Sequence, residues 1–166
     1  GPALARAAEA LALDVALWDQ LGCLSPVSVY VLDAPGARPG ASGADALSEA
    51  LADALRVLGT RLPRGRVPKE AEAAIAQARS EVEMRAAAGR RVTLHAGADF
   101  TVVREADARP RPTPLHRFVR VQPVAGLEVL GDALAPLGPH LAGVALAGFG
   151  DASTDVAELL VAAGAS

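Results

Sequence analysis

Five short apolar runs break the chain at Val27–Leu32, Arg91–His95, Phe100–Arg104, Phe118–Val124 and Leu141–Ala147. Between most of them lie stretches whose apolar residues recur at three- and four-residue steps, the spacing of a helix with one buried face. This alternation predicts an α/β fold: a mostly parallel sheet covered by helices on both sides, a three-layer α/β/α sandwich. The first helix is expected over residues 4–21, with Leu4, Ala7, Ala8, Leu11, Val15 and Trp18 on its apolar face. Trp18 is therefore expected in the core, and Gly22 ends the helix.

Further along, Asp33 to Gly43 reads as a Pro/Gly loop. Asp45–Leu58 reads as a helix capped by Ser42 or Asp45, and residues 61–67 as a loop. Lys69–Ala88 is a long helix with Pro68 at its first position, a weak apolar stripe (Ala71, Ile75, Ala78, Val82, Met84) and solvated charged faces. Residues 91–104 form a hairpin around Ala96–Asp99, and residues 106–114 an exposed loop. In 118–124, Val119 and Val121 alternate with Arg120 and Gln122. A helix over 127–137, a strand over 141–147 and a helix over 155–163, capped by Asp151 or Ser153, complete the pattern.

With 166 residues the chain is long enough for one domain with its own core. Aromatics are only 3%, so that core is built from Ala, Val and Leu. The single lysine, Lys69, stands against 15 arginines, a bias expected of a GC-rich bacterial coding sequence. Gly1-Pro2 reads as the remnant of a cleaved tag, leaving 3–166 as the domain. A net charge of −3, with acidic residues interleaved among the arginines, gives no electrostatic case for nucleic acid. No apolar stretch reaches the length of a membrane span, and the chain opens on no signal-like segment, so a cytoplasmic location is expected.

One cysteine, Cys23, cannot form an internal disulfide. It follows Gly22, which permits close backbone approach, and precedes Ser25-Pro26, which stiffens the exit. Two readings stand side by side. Cysteine is among the residue types most often buried, so Cys23 could fill space in a non-catalytic α/β interaction domain. Presented on a turn, its thiolate would instead be a nucleophile, with backbone N–H groups facing an oxyanion. Gln20, Gly22 and Leu24 are then the residues that would orient substrate or oxyanion, and Asp19 would orient the thiol or serve as a helix cap. A thiol acyltransferase is a third possibility. His95, His116 and His140 lack metal spacing, so no metal site is expected. Gly148-Phe149-Gly150-Asp151 imitates a phosphate loop but fits a tight strand-to-helix turn better.

Trp18-Asp19-Gln20-Leu21-Gly22-Cys23-Leu24-Ser25-Pro26, followed by a Val-rich strand, resembles the catalytic-cysteine segment of the bioluminescence-type fatty acyl-CoA reductases, a branch of the aldehyde dehydrogenase superfamily. Arg117–Val124, the helix from Leu127, and Leu141–Phe149 extend the resemblance, while residues 60–115 match loosely. The resemblance implies an aldehyde-dehydrogenase-like catalytic domain in which Cys23 attacks an acyl-CoA or other acyl thioester. The S-acyl enzyme then accepts hydride from NADPH or NADH and releases an aldehyde. It implies that the Cys23 backbone N–H holds the oxyanion together with a group from another domain, and that the intact enzyme is a possible homo-oligomer. Oxidising members of the superfamily carry Glu-x-Phe-Gly-Pro to hold the cofactor ribose; Leu115-His116-Arg117-Phe118-Val119 stands there in this chain. His116 and Arg117 are either substitutes for that contact or solvated loop residues. The nucleotide-binding domain is expected to be missing from this piece, with no cofactor bound to it and no reductase activity from it alone.

Overall fold

The computed structural model describes residues 1–33, 42–141 and 143–165. The Pro/Gly loop expected over 33–43 lies mostly outside them. Among the described residues nine helices and strands follow in order: α1 (Pro2–Ala16), β1 (Ser28–Leu32), α2 (Gly43–Gly59), α3 (Lys69–Ala87), β2 (Thr93–Ala96), β3 (Thr101–Arg104), β4 (Phe118–Val124), α4 (Leu127–Leu134) and α5 (Ser153–Ala162). The family of short strands forms one sheet in the order β1-β4-β3-β2. β4 runs parallel to both neighbours, with Ser28 opposite Arg120 and Thr101 opposite Phe118. β2 closes the edge as an antiparallel hairpin on β3, as its sequence predicts.

Both faces of the sheet are covered. α1 and α2 lay Ala12, Val15, Ala44, Leu51, Ala52 and Leu55 onto Phe100, Val102, Val119 and Val121. On the opposite face α3 sets Ile75 and Val82 against Val92, Val103 and Phe118. α4 and α5 close the remainder through Leu130, Leu134, Val156 and Leu160 on Val124. The three-layer α/β arrangement expected from the sequence is present. At the start of α2 a capping box joins the two residues proposed for it: Ser42 Oγ accepts from the Asp45 N–H at 3.1 Å, and the Asp45 carboxylate accepts from the Ser42 N–H at 3.3 Å.

Several expectations are corrected. α1 ends at Ala16, and Trp18 is 82% exposed rather than in the core. The reason is local: backbone at Trp18, Asp19 and Gln20 turns left-handed (φ 58°, 50° and 63°), which breaks the helical phase that would have carried Trp18 inward. Residues 141–147 form no strand among those described; Val144 and Leu146 are exposed, and the sheet order β1-β4-β3-β2 does not take them in. α5 starts after Ala152 without a side-chain cap; Ser153 Oγ instead donates back to the Gly150 carbonyl at 2.7 Å. Pro68 is the N-cap of α3 rather than its first residue, and Met84 of the supposed apolar stripe is exposed. The polar residues that alternate in β4, Arg120 and Gln122, are buried as fully as the valines, because β4 is an inner strand between two helical layers.

Candidate active site at the amino edge of the sheet

Cys23 sits in the turn Gly22–Ser25, closed by the Ser25 N–H donating to the Gly22 carbonyl at 3.0 Å. The thiol is exposed, which removes the reading of a space-filling buried cysteine in this chain. A Cβ on Gly22 would meet Ser25 Oγ at 3.2 Å, so the glycine allows the turn to close tightly. Among the described residues, neither the Cys23 nor the Leu24 N–H has an acceptor, leaving two backbone donors beside the sulfur. Leu24 is 80% exposed, and Trp18, Leu21 and Val27, all within five residues of Cys23 in the chain, are exposed as well. The turn precedes β1, so it lies at the amino edge of the parallel strands. Ligands of open α/β sheets usually sit beyond the carboxyl ends.

What holds the turn is a lock between two unusual backbone segments. Trp18–Gln20 is one run of left-handed residues; Leu115–Arg117 (φ 63°, 55° and 65°), just before β4, is the other. Such conformations cost non-glycine residues about 1–2 kcal/mol each, so six of them need compensation from side chains. Gln20 supplies part of it. Its Oε1 accepts from the Phe118 N–H at 2.6 Å, and its Nε2 donates to the carbonyls of Phe118 (3.0 Å) and Pro26 (2.7 Å). Asp19 supplies more: Oδ1 accepts from Arg117 Nε at 2.6 Å, and Oδ2 accepts from the Gly65 N–H at 2.8 Å. Arg117 also donates to the Leu62 carbonyl at 2.9 Å and lies 3.4 Å from Asp99.

The cysteine motif and the Arg117–Val124 motif are thus brought together in space. Gln20 is buried, with both amide donors spent on backbone, so it shapes the turn from beneath. Arg117 is 2% exposed and fully engaged by protein partners, which corrects its reading as a solvated loop residue and leaves it no face for a cofactor. His116 lends its carbonyl to Arg64 Nη1 at 3.2 Å. His95 lies elsewhere, in a cleft of about 230 Å³ with Asp45, Glu49 and Arg104, and His140 is exposed. No group of three or more His, Cys, Asp or Glu among the described residues could hold a metal ion.

Sequence reasoning missed the ionic centre of the opposite face. Glu105, fully buried after β3, accepts from Arg85 Nη2 at 2.6 Å, pairs with Arg120, and lies 3.4 Å from Arg111. Arg85 comes from α3, Arg120 from β4 and Arg111 from the β3–β4 connection, so one carboxylate ties three elements. The available signal was charged residues set between β-branched ones in 102–105 and 119–121. The loop 61–67 likewise gave no hint that Gly65 and Arg64 belong to the cysteine's support.

The family model described as acyl-CoA reductase (LuxC) matches residues 2–166. No curated protein matches the chain. No helix among the described residues is long and apolar enough to cross a membrane.

Proposed function

The chain belongs to the LuxC acyl-CoA reductase family, and from that premise we propose that it is the cysteine-bearing catalytic domain of an acyl-thioester reductase working through an S-acyl intermediate on Cys23. The observation that carries this reading is the exposed thiol on a turn pinned from below by Gln20 and Asp19, with two free N–H groups beside it. Preorganised donors aimed at a developing oxyanion are among the largest contributions a site makes to acyl transfer.

In the first half-reaction the Cys23 sulfur attacks the thioester carbonyl carbon. The oxygen takes up negative charge facing the Cys23 and Leu24 N–H groups. The bond to the leaving sulfur then breaks, the acyl group stays on Cys23, and coenzyme A departs as a thiol with the proton that Cys23 gave up. No electrons are transferred. The apolar surface of Trp18, Leu21, Leu24 and Val27 gives the acyl chain a surface to lie on.

Reduction of the acyl group to an aldehyde needs a hydride donor, NADPH or NADH. The residues of this chain do not fit such a cofactor. Gly148-Phe149-Gly150-Asp151 follows no strand and joins α5 through a three-residue 3-10 turn, so it lacks the strand-to-helix turn that cradles a diphosphate. The clefts of about 230 and 380 Å³ are both lined without Cys23. No step of the hydride transfer is therefore assigned to this chain. A separate nucleotide-binding domain, and the placement in the aldehyde dehydrogenase superfamily, belong to the same proposal; the mostly parallel sheet supports the latter.

The reading is tested by following free coenzyme A after mixing the chain with excess acyl-CoA. One equivalent released per chain, without NADPH oxidation when that cofactor is added, is the expected result. Steady turnover of NADPH by this chain alone would contradict the division of labour.

A further inference from the structure

Two arginines beside the Cys23 support form no salt bridge among the described residues. Arg64, from the loop between α2 and α3, donates to the carbonyls of His116 (3.2 Å) and Ala98 (3.1 Å). Arg79, on α3, donates through Nε to Thr101 Oγ1 at 2.8 Å, and through Nη2 to the carbonyls of Gly97 (3.0 Å) and Phe100 (2.8 Å). Both guanidinium groups thus grip the β2–β3 hairpin turn, and both are half-buried. Among the described residues no carboxylate lies within ion-pair distance of either; Asp19 and Asp99 are turned to Arg117, and Glu83, one turn along α3, acts on Arg79 only from a distance. Arg79 Nη1 and Arg64 Nε make no hydrogen bond there.

The two charges feel each other. Burial first, and then the neighbouring Arg64, hold Arg79 below the ordinary arginine range, with Glu83 in partial opposition. Like charges held together by neutral carbonyls are a standing cost that a bound anion would relieve, and paired guanidinium forks suit phosphate geometry. Position adds to this. The hairpin turn lies at the amino end of β3 and the Cys23 turn at the amino end of β1, with β4 between them. β1 and β3 themselves lie two strand spacings apart, about 10 Å, and both turns enter the sheet from the same edge.

We propose that Arg64 and Arg79 form an anion subsite that takes a nucleotide phosphate, that of the coenzyme A half of the thioester presented to Cys23. This rests on the acyl-enzyme reading above for its ligand, though not for its charge. A nicotinamide dinucleotide carries the same group; the placement on the same sheet edge as Cys23 and the poor fit of such a cofactor to this chain favour coenzyme A.

The test compares two thioesters with the same acyl group, acyl-CoA and acyl-pantetheine, which lacks the nucleotide. The rate of Cys23 acylation is followed at subsaturating thioester in the wild-type chain, in Arg64→Ala and in Arg64→Lys. Arg64 lies on a loop, so the variants are expected to fold; Arg79→Gln is a second variant, checked by circular dichroism. The expected result in Arg64→Ala is a loss about tenfold greater with acyl-CoA than with acyl-pantetheine, roughly the removal of one charge-assisted contact, with partial recovery of the difference in Arg64→Lys. Equal rates for wild type and Arg64→Ala with acyl-CoA, or equal losses with both thioesters, would overturn the subsite. So would NADPH, and not coenzyme A, losing affinity in Arg64→Ala by calorimetry. If neither thioester acylates wild-type Cys23, the acyl-enzyme reading fails by itself, and calorimetry with free coenzyme A still decides the subsite.

Discussion

The Gln20 carboxamide grips the Phe118 peptide at both ends, accepting from its N–H at 2.6 Å and donating to its carbonyl at 3.0 Å. A side chain three residues before Cys23 thereby occupies the place of a neighbouring strand at the first residue of β4. Through the third bond, to the Pro26 carbonyl, it also fixes the exit of the cysteine turn.

Replacing Gln20 by Ala leaves the Phe118 N–H, the Phe118 carbonyl and the Pro26 carbonyl without these partners in a buried place. The expected loss of stability is about 3 kcal/mol, since each orphaned buried group costs about 1–3 kcal/mol. Urea denaturation measures it. Acylation of Cys23 should slow further than stability alone explains under conditions where the variant is fully folded, because the turn loses its anchor.

Arg117 and Asp19 tie the two left-handed runs through one charge-assisted bond of 2.6 Å. Arg117→Lys keeps the charge and loses the fork that also reaches Leu62 and lies close to Asp99. The variant is expected to fold with reduced stability and with faster hydrogen exchange at Gly65 and Phe118, whose amides report the two ends of the lock. Unchanged exchange at both amides would remove the lock from the account.

Away from the site, Glu105 holds three arginines from three elements. Glu105→Gln removes the charge while keeping the shape, leaving buried Arg120 without its counter-ion. Breaking a buried pair in this way costs about 3–5 kcal/mol. The midpoint of chemical denaturation should fall accordingly, with the exposed thiol chemistry intact in the remaining folded protein.

Asp107 gives a pH signature. The Arg111 fork, bonded to it at 2.8 and 3.0 Å, holds its carboxyl below the ordinary carboxylate range, against the opposing effect of burial. The folded value lies below the unfolded one, so the contribution is present above about pH 3.9 and disappears as pH falls through the folded value. Asp107→Asn should lower stability slightly at pH 6 and bring the mutant and wild-type curves together in acid, as followed by thermal melts across pH.

How much of this was legible in the chain follows from where the determinants lie. Short-range signals carried the elements: the Ser42–Asp45 cap, the β2–β3 hairpin and the apolar faces of α2 and α3 are set by residues within a few positions of one another. Cys23 and Arg117–Phe118 could each be singled out by motif. Their joining could not, because it depends on backbone that turns left-handed at six residues with no glycine to mark the place. The same blindness put Trp18 in the core. The alternation of Arg120 and Gln122 with valines did not show that they are buried; their burial rests on Glu105 and on the β3–β4 connection, which lie outside the strand. The supposed strand at 141–147 had the composition of a strand, but composition does not supply a neighbour to pair with.

The central claim is that Cys23 takes the acyl group. Intact and peptide mass spectrometry after incubation with acyl-CoA, on the wild-type chain and on Cys23→Ala, tests it most directly. The account predicts a single acyl adduct mapped to the peptide containing Cys23, released by hydroxylamine and absent from Cys23→Ala. No adduct on the folded wild-type chain, or an adduct of equal yield on Cys23→Ala, would contradict it.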